Sequence, residues 1–160
     1  MTYRIDIQHA CSSKTQITDD LIMRWAKTTL HAFKPKAELT IRLVDPEEMI
    51  HLNHVYRQQH KPTNVLAFPA NLPKTVRLAR PLLGDVVICV QVLLEESQAQ
   101  SIPLEAHWAH IVIHGILHLL GYDHIKPEEA RIMEEREVIL LTELGYDDPY
   151  LKDRHLDEYS

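Results

Sequence analysis

A chain of 160 residues with 45% hydrophobic and 25% charged residues has the balance of an ordinary folded domain, which excludes a disordered or collagen-like polymer. At this length a single domain buries about 70% of the surface its unfolded chain exposes, so no disulfide or metal is needed merely to fold, and a metal site is expected to be functional. The formal net charge of -6 argues on average against a polyanionic partner.

The first ten residues carry no basic segment followed by an apolar one, and no apolar run approaches the ~18 residues of a membrane span. The expectation is a cytoplasmic protein that is neither exported nor inserted. Residues 2–9 alternate as a strand does, and Cys11 follows. Thr18, Asp19 and Asp20 predict a cap for an amphipathic helix running to about Phe33. Residues 38–44 read as a second strand, and Asp45-Pro46-Glu47-Glu48 as the cap and acidic first turn of a helix reaching about Arg57. From Met49 to Gly84 there is no Asp or Glu, while Arg57, Lys61, Lys74, Arg77 and Arg80 supply positive charge. A charge run is by default a solvated surface, and this one is also a hint of RNA or phosphate.

Residues 64–68 and 84–90 predict two more strands, joined by a loop holding Pro69, Pro73 and Pro81. Cys89, inside an apolar run and far from Cys11, points to two reduced thiols rather than a disulfide. Residues 91–100 predict a helix, Pro103 opens another that ends near Leu120 before Gly121, and the last runs from Pro127 to Leu144 before Gly145. Residues 146–160 are expected to form a loose tail, and from Asp123 onward twelve acidic residues stand against five basic ones. The order β-α-β-α-β-β-α-α-α predicts one domain over residues 1–160, of α+β (α/β-like) class, with about four strands in a mixed sheet and about five helices.

The chemistry concentrates at residues 114–124, His-Gly-Ile-Leu-His-Leu-Leu-Gly-Tyr-Asp-His. Residues four apart on a helix share a face, so His114 and His118 can reach one ion at the ~2.0 Å that zinc requires. Gly121 frees the chain from the helix and lets His124 approach from a third direction. The fourth tetrahedral position stays open to water, as in catalytic rather than structural zinc sites. With eleven histidines in the chain a helical pair alone decides little, but three arranged around a glycine stop are far more specific. His107 and His110, on nearly the same face, read as a polar helix flank, with support of a ligand or contact with substrate as the alternative. Asp123 either orients a ligand imidazole or caps the turn. The spacing matches the metzincin peptidases, except that Gly115 stands where their general-base glutamate would be. Peptide hydrolysis by that route is not expected, whereas a phosphodiester transition state can be stabilised by a metal ion and an arginine together.

The segment resembles the signature of the YbeY family, bacterial endoribonucleases of ribosomal RNA maturation, at every fixed position of H-G-x-L-H-L-x-G-Y-D-H. Leu52-Asn53 with Tyr56-Arg57, the run from Lys61 through Pro69, the run from Leu83 through Ile88, and Leu144-Gly145-Tyr146 are similar to the same family, over roughly residues 50–150. Asn64 stands where many members have Asp, and Ala67 where Ser is common. The resemblance implies a zincin-like site and a zinc-dependent, single-strand-specific endoribonuclease, acting in 16S rRNA 3′-end maturation and in quality control of defective ribosomes. It implies one zinc per chain held by His114, His118 and His124, a cleft arginine at Arg57, and single-stranded ribosomal RNA and ribosome or small-subunit proteins as partners, with no DNA.

Taken alone, Arg57 is a surface arginine by default, but beside the basic stretch its guanidinium can clamp two phosphate oxygens. Lys61, Lys74, Arg77 and Arg80 are expected to steer RNA, each through one phosphate contact at most, with steep salt dependence. No general base stands out. Attack by the ribose 2′-hydroxyl leaves a 2′,3′-cyclic or 3′-phosphate, and attack by water a 3′-hydroxyl. Two other readings stay open: a zinc hydrolase of other substrates with a base other than Gly115, and a non-catalytic ribosome-assembly factor with architectural zinc.

Overall fold

The computed structural model describes residues 2–12, 14–73, 75–76 and 78–151, so Lys74 and Arg77 lie outside the described residues. In chain order the elements are β1 (Thr2–Ala10), α1 (Asp19–His31), β2 (Lys36–Val44), α2 (Pro46–Arg57), β3 (Val65–Pro69), β4 (Leu82–Cys89), α3 (Val90–Gln100), α4 (Leu104–Leu119) and α5 (Pro127–Glu143). Order and number follow the sequence expectation, and together they form one α+β domain with a mixed sheet.

The two faces of the sheet are set by alternation along its strands. On β2, Leu39, Ile41 and Leu43 are buried in the larger core, which also takes in Ile22 and Trp25 of α1 and Ile113 and Ile116 of α4. Arg42, of the other parity, forks onto Glu48 of α2 at 2.7 and 2.9 Å. On β4, Val86 and Ile88 belong to the larger core, while Val87 and Cys89 join Met49 and Leu66 in a smaller one. The strand order is β1-β2-β4-β3, in which β1, β2 and β4 run parallel and β3 is an antiparallel edge.

Three local readings are corrected. Pro69 is the last residue of β3 rather than loop, tolerated because an edge strand has one side free of pairing. Val90 begins α3 rather than ending β4. Over 146–151 the tail is held: Tyr146 donates to Glu105 at 2.6 Å and accepts from Trp25 Nε1 at 3.2 Å, and the Tyr150 hydroxyl reaches Glu137. Residues 152–160 lie outside the described residues. The caps are mixed. Thr18 Oγ1 accepts from Leu21 N–H at 3.3 Å as expected, whereas Asp45 makes no side-chain cap on α2 and accepts instead from Ser12 N–H at 2.9 Å.

Glycine is needed where backbones or side chains meet. A Cβ on Gly84, whose φ is +135°, would lie 2.1 Å from the Phe68 carbonyl oxygen across the β3–β4 pairing. A Cβ on Gly115 would lie 2.6 Å from Val86 Cγ1 and 3.3 Å from Val65 Cγ2, so α4 rests directly on the sheet there. Val86 is buried and β-branched and has little room to turn aside. Gly115→Ala is therefore expected to destabilise the protein by about 1–3 kcal/mol through overpacking, read as a lowered urea midpoint at unchanged m-value.

Candidate metal centre and cleft

The end of α4 creates the site. Gly121, at φ +103°, lets the chain reverse, with Gly121 N–H bonded to the His118 carbonyl and Tyr122 N–H to the Leu117 carbonyl, both at 3.0 Å. Tyr122 then packs edge-on against Phe33 with ring centroids 5.6 Å apart, which anchors the returning segment. Asp123 Oδ1 accepts from His124 N–H at 2.7 Å, so of its two readings the structure shows the turn-stabilising one.

His114, His118 and His124 converge. His118 Nε2 lies 3.1 Å from His114 Nε2 and 3.1 Å from His124 Nδ1. Each histidine offers a nitrogen, these nitrogens all lie within 4.8 Å of one another, and the group can hold a metal ion. Two nitrogens bound tetrahedrally to one zinc would be about 3.3 Å apart, so the spacing fits such an ion. Proton bookkeeping supports the same fit. His114 Nδ1 lies 2.6 Å from the Glu137 carboxylate and must carry its proton there, which leaves a lone pair at Nε2. One proton on His118 Nε2 would satisfy only one of its two neighbours, and a cation satisfies all three. Burial, followed by repulsion from His114 and His124, lowers the His118 pKa from 6.5 to about 4, so His118 resists protonation.

Arg57 lines the same cleft, of about 550 Å³, together with the three histidines, Asn64 and residues of β3. It ends α2, where Gln58 adopts a left-handed conformation at φ 58° with its N–H on the His54 carbonyl at 3.0 Å. Asn53 Nδ2 donates to the Lys61 carbonyl at 2.8 Å and ties the following loop to the helix. Arg57 is exposed and has no carboxylate partner among the described residues. Neither Lys61 nor Arg80 lines the cleft.

The expected polar flank on α4 is corrected. His107 is buried with Nε2 2.9 Å from Glu96 Oε1, and His110 Nε2 lies 2.8 Å from Glu137 Oε2, so both face partners on other helices rather than water. Glu137, on α5, is absent from the sequence reading. Burial alone would raise its carboxyl, but hydrogen bonds from His110 and His114 outweigh that and hold it at about 2. Asn64 Nδ2 points at Glu96, 3.3 and 3.4 Å from its two oxygens, and Asn64 Oδ1 accepts from Val65 N–H at 2.7 Å.

The sequence profile of endoribonuclease YbeY matches residues 6–145, nearly the whole chain. The chain belongs to the endoribonuclease YbeY family. Within this family of RNA-cleaving hydrolases, the endoribonuclease YbeY of Legionella pneumophila strain Corby is 58% identical over 150 residues, covering 94% of this chain and 95% of its own. Those of strains Lens and Paris match to the same extent. The solution structure of a Thermotoga maritima protein is similar in fold, with a TM-score of 0.61 at 23% identity over 96% of this chain and 95% of that one. Among the described residues no helix is long and apolar enough to cross a membrane.

Two outcomes are expected. Asn64→Asp would set a second carboxylate against Glu96 and lower stability by about 1–2 kcal/mol in chemical denaturation. In metal-free protein, stability is expected to fall as pH drops from 6.5 toward 4, because the unfolded chain takes up the His118 proton that the folded one refuses. Below the ordinary carboxyl value of 4.5 Glu137 acts in the same direction, its contribution being lost as pH falls toward about 2. Urea midpoints measured across this pH range read both.

Proposed function

We propose that this protein is a zinc-dependent endoribonuclease of the cytoplasm that cuts single-stranded ribosomal RNA, acting at the 3′ end of 16S rRNA and on defective ribosomes with small-subunit proteins as partners. The observation that carries this reading is that Arg57 and the three histidines line one cleft, in a chain of the endoribonuclease YbeY family. His114 Nε2, His118 Nε2 and His124 Nδ1 would hold the ion. Zinc bound there supplies Lewis acidity toward a phosphoryl oxygen or a water molecule.

Arg57 binds phosphate oxygens through its planar fork and neutralises the negative charge that develops at phosphorus. Its lack of a carboxylate partner among the described residues leaves the guanidinium available for that task. Gly115 offers no side chain, which sets this cleft apart from one arranged for peptide hydrolysis. Asp123, the one carboxylate lining the cleft among the described residues, is engaged by the backbone of His124. Lys61, Lys74, Arg77 and Arg80 would act as steering charges for the RNA backbone.

The test is cleavage of a 3′-extended 16S rRNA fragment by zinc-loaded protein, with products mapped to the nucleotide. Wild type is expected to cut in single-stranded regions, His114→Ala to lose cutting together with zinc, and Arg57→Ala to cut about 100-fold more slowly while keeping its zinc. Equal cutting by all three proteins, or none by zinc-loaded wild type, would overturn the catalytic reading and favour an assembly factor with architectural zinc.

A further inference from the structure

α5 carries its acids mostly toward water, but Glu137 sits among the buried Met133, Leu140 and Leu141, and its side chain is 0% exposed. A carboxylate in such a position is strongly destabilising unless its lone pairs are matched. Here they are matched from two directions. Oε1 lies 2.6 Å from His114 Nδ1, and Oε2 accepts from His110 Nε2 at 2.8 Å and from the Tyr150 hydroxyl. Tyr150 itself lies 3.0 Å from His110 Nε2, and its backbone N–H is fixed on Asp148 Oδ1 at 2.8 Å.

An imidazole that binds a metal through one nitrogen must carry its proton on the other, and the group that accepts that proton fixes both tautomer and ring direction. For His114 that acceptor is Glu137 Oε1, which turns Nε2 toward His118 and His124. Oε1 is in turn fixed because the other oxygen is held by His110 and Tyr150. The carboxylate cannot rotate without breaking all three hydrogen bonds.

We propose that Glu137 is the positioning residue of the metal centre, and that the turn after α5 belongs to that centre because Tyr150 and His110 lock the carboxylate that orients His114. The inference rests on the reading of His114, His118 and His124 as ligands. It adds a buried carboxylate and an aromatic hydroxyl from a region that otherwise reads as a tail. Tyr150 belongs neither to the cleft lining nor to the three-histidine group, so its effect must travel through Glu137.

The experiment uses the full chain as wild type, Glu137→Gln and Tyr150→Phe, with two readouts. The first is zinc affinity by competition with a chromophoric chelator. The second is the ring ¹⁵N spectrum of His114 in metal-free protein, assigned by its absence in His114→Ala. Glutamine keeps the shape but replaces one acceptor by a donor, so it cannot serve His114, His110 and Tyr150 together. Zinc affinity is expected to fall about 10–100-fold in Glu137→Gln and by a smaller factor in Tyr150→Phe. The His114 ring should pass from protonation at Nδ1 to a mixture of tautomers in Glu137→Gln.

Zinc affinities within about two-fold of wild type in both variants, or a His114 ring still protonated wholly at Nδ1 in Glu137→Gln, would overturn the proposal. If Glu137→Gln does not fold, Tyr150→Phe, which removes one hydroxyl, decides in the same two measurements. A wild type that binds no zinc would instead overturn the ligand reading itself, and the tautomer measurement would still decide the role of Glu137.

Discussion

The structure depends on burying α4 on nearly every side. Ten of its residues are buried, including Trp108, Ile113 and Ile116, and the helix is pressed onto the sheet at Gly115 until only a hydrogen atom fits between its backbone and Val86. That contact sets the distance between the helix and the β3 edge, and so sets the cleft. A larger residue at 115 would lift the histidines on either side of it away from the sheet. The same glycine that removes a general base is thus the one that seats the helix.

Polar groups are costly on a helix buried this thoroughly, yet it carries His107, His110, His114 and His118 at intervals of three and four residues. They form one stripe along the helix, and each member has a polar partner, although His107 Nδ1 is buried without one. His107 meets Glu96 from α3, His110 and His114 share Glu137 from α5, and His118 faces the other two histidines of the cluster. Polar satisfaction therefore runs in two groups along the helix, one joining Asn64 at the cleft wall, Glu96 and His107, the other joining His110, His114 and Tyr150 through Glu137. Stability and chemistry share these residues, since the carboxylate that makes burial of His114 tolerable also directs its ring.

Much of the fold and the histidine cluster was legible because the signals are local. Alternation, capping residues and glycine stops act within a few residues, and the three histidines are close in sequence with a glycine between them. Glu137 was not legible because it lies 23 residues beyond His114, on a helix whose first turn is acidic and which carries further acids along its length. Its signal was positional: it occupies the apolar stripe formed with Met133, Leu140 and Leu141, where a charged residue demands a partner. His107 and His110 were misread for the same reason, their partners being brought by α3 and α5. Arg57 depends on a left-handed Gln58 that nothing in its type announces, and the family pattern rather than the chain's own periodicity singled it out. The boundary shifts at Pro69 and Val90 arise where a residue's preference yields to its place at the edge or end of a strand.

The wall that β3 contributes to the cleft has a further property. It is a strand of five residues at the edge of the sheet, closed at its end by Pro69, which has no N–H to offer. An edge of this kind makes a poor template for another strand, whether from a second copy of the chain or from an extended polypeptide. The opening beside the histidines can therefore stay exposed without inviting the sheet to grow across it, and the molecule keeps an accessible groove where a longer, proline-free edge would be a site of self-association.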